Sequence, residues 1–242
     1  MKAWFSIPLL VLLFSCALPD DGPPTSSQIE STGMLALQAH QPAAIDRLTR
    51  WARQGLPVAQ RELGLVRAQT PLTQTEAVAW LQKAAAGGDA KAQFHLAKAL
   101  HEGSLGLPQD FTQAWVWFEA AAKQNDRQAS FMLARMAKYG QGVAASPELS
   151  VYWLQEASRQ GNPQAMFLLS NAYAEGEGVG RNVMLARRWL TKSAEGDYGV
   201  AIQALALELD GLGGPDTVLA KHSRDLLKEA KDHRLMRWNG YQ

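Results

Sequence analysis

In Ala114-Trp115-Val116-Trp117-Phe118-Glu119-Ala120-Ala121, an aromatic pair stands between two alanines, three residues before Trp117 and four after it. The figure recurs at Trp80-Leu81, Trp153-Leu154, Trp189-Leu190 and, without the indole, at Leu226-Leu227, always 36 or 37 residues on. Ala77, Ala114, Ser150, Ala186 and Ser223 precede the pairs; Ala84, Ala121, Ala157, Ser193 and Ala230 follow them. Offsets of three, four and seven residues share one face of a helix. Small residues beside one bulky pair suit close helix packing. We term this segment B.

A second series, A, lies upstream of each B. It opens at Ala59, Ala92, Ala129, Ala165 and Val200, continues through Leu63, Leu96, Leu133 and Leu169, and reaches Gly103, Gly140, Gly176 and Gly211 eleven residues after its anchors. A glycine just past a helical pattern reads as a left-handed cap, where a missing Cβ costs least. Segment B runs into Gly55, Gly88, Gly161 or Gly196, with Asn125 in one copy. The expected fold is all-α: about five helix pairs over 59–232, with a lead-in helix from Ala43 to Gln54 and a short apolar cap within 34–58. No stretch sustains the period-two alternation of a strand.

These residues closely resemble the Sel-1-like repeats, relatives of the tetratricopeptide repeats. Phe94, Phe131 and Phe167 fill the aromatic position. Gly140-Gln141-Gly142-Val143 and Gly176-Glu177-Gly178-Val179 form the family's turn, and Gly88-Asp89-Ala90-Lys91-Ala92 and Gly161-Asn162-Pro163-Gln164-Ala165 its junction. The resemblance covers about three quarters of the chain and implies an α/α superhelical solenoid. Thr70-Pro71 in the first unit and Val200, Ala204 and Leu226 in the last depart from it, as end units of an array do. The charges Lys221 to Asp232 suit a polar outer cap.

Residues 1–15 read as a leader: Lys2, then an apolar run from Ala3 to Phe14, too short to span a bilayer. Leu13-Phe14-Ser15-Cys16 resembles the lipobox of bacterial lipoproteins, although Phe14 stands where a small residue is usual. The resemblance implies lipidation of Cys16. By the same resemblance, Ala17 after it, in place of the Asp that holds such proteins at the inner membrane, implies the outer membrane, on its periplasmic side. The competing reading takes Ser15-Cys16-Ala17 as an ordinary cleavage site, giving a soluble periplasmic protein. Cys16 is the single cysteine, and acylation removes an otherwise unpaired thiol from an oxidising compartment. Residues 16–33, rich in Pro, Gly, Ser and Thr, read as a flexible tether.

Chemistry is sparse. Lys and Arg number 24 against 23 acids, so no long-range field recruits nucleic acid. The five histidines form no metal-ligand spacing, Gly176-x-Gly178-x-Gly180 follows no strand, and no Gly-x-Ser-x-Gly elbow exists. No catalytic, cofactor or metal residue is expected. Trp80, Trp117, Trp153 and Trp189 are assigned to the core. Trp115 is read as a core or inter-repeat contact, or an exposed aromatic; Trp238, in the tail 233–242, as a fold-back or a partner anchor.

By resemblance the A helices line the concave side. Lys98, Arg135 and Asn171, with His101 and Lys138, vary there and are candidate partner-binding residues. The reading is a non-enzymatic protein–protein interaction scaffold, membrane-tethered and supporting an envelope or secretion assembly. The alternative is a cell-wall or polysaccharide-binding module using Trp115 and Trp238; a periplasmic hydrolase is more remote.

Overall fold

The computed structural model describes residues 23–212 and two further helical positions, 225 and 228. Cys16 and its leader, the second helix of the last unit and the tail with Trp238 lie outside the described residues. Within them the chain is helical, with no strand. Two opening helices, α1 (Ser26–Gln38) and α2 (Pro42–Arg53), precede the pairs α3/α4 (Pro57–Ala68, Gln74–Ala86), α5/α6 (Ala90–Glu102, Phe111–Ala122), α7/α8 (Arg127–Tyr139, Pro147–Arg159) and α9/α10 (Pro163–Glu175, Val183–Glu195), with α11 (Gly199–Leu212) beginning a further unit. The expected solenoid is thus present, odd-numbered helices from α3 being type A. Each helix from α2 onward packs mainly on its sequence neighbours; α1 packs on both α2 and α3, and α3 touches α5.

Local chemistry sets the boundaries. Asp89, Asp126 and Asn162 accept hydrogen bonds from the backbone N–H of Ala92, Ala129 and Ala165, capping three A helices. Asp110, Ser146 and Asn182 do the same for the B helices α6, α8 and α10. Gly103, Gly140 and Gly176 close α5, α7 and α9 in the left-handed region, at φ +67°, +69° and +80°. In the turns that follow, Gly142 and Gly178 bring their backbone so close to the preceding B helix that a Cβ would stand 2.3 Å from the carbonyl oxygens of Phe111 and Pro147. The Thr70-Pro71 exception holds: a short 3-10 turn, Pro71–Thr73, joins α3 to α4.

Four expectations are corrected. Helix α1 begins at Ser26, inside the expected tether, because Thr25 and Gln28 form a reciprocal capping box. The last A helix is in register at Ala201, which is fully buried, while Val200 is 48% exposed; Leu205 and Ala206 then repeat Leu169 and Ser170. That register puts Leu212 opposite Gly176, and α11 runs on through Gly211. The left-handed residue after α10 is Asp197, at φ +59°, rather than Gly196.

The fourth correction concerns the indoles. The innermost B residue is the one after each tryptophan: Leu81, Phe118, Leu154 and Leu190 are buried. One helical step of 100° carries the tryptophan to the flank. Trp153 is 7% exposed, whereas Trp80, Trp117 and Trp189 are half-buried and pack against the core from its edge. Lys83 lies 4.5 Å over Trp80 and Lys192 4.9 Å over Trp189, so their outer faces meet cations.

The first unit departs from the pattern at its aromatic position. Where Phe94, Phe131 and Phe167 stand in later units, α3 carries Arg61, 3% exposed. Its guanidinium donates to Glu62 and Asp89 and across to Glu30 on α1, all at 2.7 Å. Lys91 also pairs with Glu30. Burying a guanidinium demands such partners, and α1 supplies one.

Candidate functional site

Three helices converge at one cleft. The A helix α7 contributes Arg135, Lys138 and Tyr139, its partner α8 contributes Pro147, Val151 and Leu154, and the next A helix α9 contributes Leu168, Asn171 and Glu175. The cleft encloses about 200 Å³. Its floor is apolar: Val151 and Leu154 are buried, in the same core cluster against which Leu168 packs. The rim is polar, with Arg135, Lys138 and Asn171 all exposed. Three of the candidate partner-binding residues therefore meet at one place.

Their charges differ in availability. The Lys138 ammonium donates to Glu177 at 2.9 Å. That contact, chiefly its hydrogen bond, holds the lysine's pKa above its ordinary value. Among the described residues no acidic group pairs with Arg135. Asn171 presents a carboxamide, both donor and acceptor.

The other candidates lie elsewhere. Lys98 is one repeat earlier and faces Glu102 on its own helix at 3.8 Å. His101 is turned inward: its ring meets Phe111 edge-on with centroids 5.1 Å apart, and its Nε2 lies 3.1 Å from Gln141 Oε1. It joins two A-to-B turns and is no open groove residue. Trp115 is half-buried and meets Trp153 edge-to-face, centroids 6.4 Å apart, which makes it the inter-repeat contact between α6 and α8. Tyr139 and Glu175, walls of the cleft, were not singled out by sequence. Their signal was available, since each lies ten residues after its A anchor.

Among the described residues no three His, Cys, Asp or Glu side chains gather where they could hold a metal ion, and no helix is long and apolar enough to cross a membrane. Among the described residues the buried Trp153 indole N–H has no hydrogen-bond partner.

The sequence pattern of the Sel1 repeat matches residues 57–89, 90–126, 127–162 and 163–198, each match joining an A helix to the B helix after it. No curated protein matches the chain. Similar solved structures include two bacterial proteins. A Sel1 repeat protein from Oxalobacter formigenes shares 25% identity at a TM-score of 0.71, over 85% of this chain and 88% of that one. A protective antigen of uropathogenic Escherichia coli with an SLR fold shares 24% identity at a TM-score of 0.73, over 86% of this chain. This chain spans 46% of the antigen's length, and that likeness concerns the fold alone.

Proposed function

Because the chain belongs to the Sel1 repeat family, whose members generally act as protein–protein interaction scaffolds, we propose that it is a non-enzymatic scaffold that docks a partner polypeptide along its A-helix face. The observation that carries this reading is the cleft between α7, α8 and α9, where an apolar floor meets the exposed guanidinium of Arg135, which has no acidic partner among the described residues. Binding sites combine such a floor with a few placed polar groups. The lipobox-like Leu13-Phe14-Ser15-Cys16 supports attachment through Cys16 to the periplasmic side of the outer membrane, where the partner belongs to an envelope or secretion assembly. Stacking of a glycan on Trp115 fits less well, since that ring is half-buried against Trp153.

The test is in-cell crosslinking from the A-helix face, with the wild-type chain compared against charge reversal at Lys98, Arg135 and Lys138. A crosslinked protein that disappears in the variant, with an unchanged melting temperature, supports docking. Crosslinks that persist reject it. Labelled palmitate incorporated by the wild-type chain but not by Cys16→Ser tests the anchor.

A further inference from the structure

The cleft has a structural origin that points to its occupant. Repeats can be compared wall by wall, because equivalent positions are 36 residues apart. One repeat earlier, between α5, α6 and α7, the walls are Phe111, Trp115, Phe118 and Met136. Phe118 and Met136 are fully buried, and Phe111 and Trp115 pack against the same core cluster. In the α7–α9 unit these positions become Pro147, Val151, Leu154 and Ala172. All four are smaller, and all four line the cleft. The space that large side chains take up in one unit is open in the next.

Size and polarity select what enters. A cleft of about 200 Å³ falls below the ~300 Å³ at which pockets for whole small molecules begin, so it suits a single side chain. The floor of Val151, Leu154 and Leu168 requires that side chain to be apolar. On the rim, Glu177 pairs with Lys138 and the Glu175 carboxylate also acts on that lysine, which leaves Arg135, with no acidic partner among the described residues, to receive an anion and the Asn171 carboxamide to meet a peptide group with both a donor and an acceptor.

Resting on the docking reading above, we infer that the α7–α9 cleft takes one aliphatic or aromatic side chain of an extended partner segment, with a neighbouring carboxylate on Arg135. The partner is thus recognised by an apolar residue beside Asp, Glu or a free C-terminus.

The experiment selects a random peptide library, displayed on phage, against the purified full chain. An enriched peptide is then titrated against wild type, Val151→Trp and Arg135→Glu. The first variant restores the side chain that Trp115 supplies one repeat earlier. The second changes an exposed charge, so a folding failure of Val151→Trp leaves it decisive. Enrichment of an apolar residue adjacent to a carboxylate is expected, with affinity at least tenfold weaker in each folded variant. Peptides that bind both variants as they bind wild type overturn the cleft; if reversal at Lys98 and Lys138 still abolishes their binding, the wider docking reading survives. A library that yields no enriched peptide overturns the assignment, and crosslinks that also persist reject docking altogether.

Discussion

Asp89 serves two helices with its two oxygens: Oδ1 accepts the Ala92 backbone N–H that starts α5, and Oδ2 receives the Arg61 guanidinium from α3, each at 2.7 Å. The cap of one repeat is thereby tied to the buried cation of the one before. Replacing Arg61 with Ala leaves Asp89 and Glu62 without their countercharge in a largely buried setting. Removing one partner of a buried pair typically costs about 3–5 kcal/mol, and the lower figure is expected because Glu30 is partly solvated. Urea unfolding of Arg61→Ala measures it; a loss below about 1 kcal/mol would contradict this account.

The same joint is acid-sensitive. The Lys91 ammonium, and after it Arg61, hold the Glu30 carboxyl below its ordinary value of 4.5, against the opposing pull of burial. A carboxyl depressed in the folded state adds stability that is complete above its unfolded value and disappears as pH falls through the lower folded one. Glu30→Gln is therefore expected to lower the melting temperature at neutral pH and to match wild type once the pH is well below 4.5. A constant difference across that range counts against it.

Two glycines with similar backbone angles are expected to differ in tolerance. Gly161, at φ +82°, has open space where a Cβ would go, whereas at Gly142, φ +76°, that Cβ meets the Phe111 carbonyl oxygen. Gly161→Ala should cost about 1–2 kcal/mol from the left-handed conformation alone. Gly142→Ala adds displacement of backbone and should cost about 3 kcal/mol or more. Equal melting temperatures for the two variants would refute the close approach.

The tryptophans are not equivalent. Trp153→Ala empties a buried site and is expected to cost about 3–5 kcal/mol. Trp189→Ala removes a ring that is half-buried and roofed by Lys192, and should cost less than half as much. The comparison is made by thermal unfolding of the two single variants. A larger loss at Trp189 would show that the inner position has been misidentified.

Most of the helical plan was legible because packing leaves a periodic trace. The offsets around Trp117, the glycines at 103, 140 and 176, and the junction at Gly161-Asn162 each correspond to a helix face, a left-handed cap or an N-cap. Errors arose where a local signal competed with register. Gly199-Val200-Ala201 offers two adjacent anchors, and only the buried face distinguishes them. Ser26 to Thr32 has the composition of a tether, while its capping box at Thr25 and Gln28 was the readable sign of a helix. Arg61 occupies an aromatic position, a departure open to reading that went unread, and its partner Glu30 lies 31 residues away, where no spacing rule connects them. The cleft involves three helices from two repeats. Its residues Arg135, Lys138 and Asn171 could be picked out individually, whereas the enclosed space depends on how Val151 and Leu154 differ in volume from Trp115 and Phe118.

Packing mainly between sequence neighbours has a mechanical consequence. A globular domain resists stretching as one body, but here load passes in series from pair to pair, and each junction gives way at its own threshold. Under tension the chain should lengthen in steps of one repeat. Every junction then carries the same tension, so the weakest pairs open first and the strongest can stay intact while others unravel.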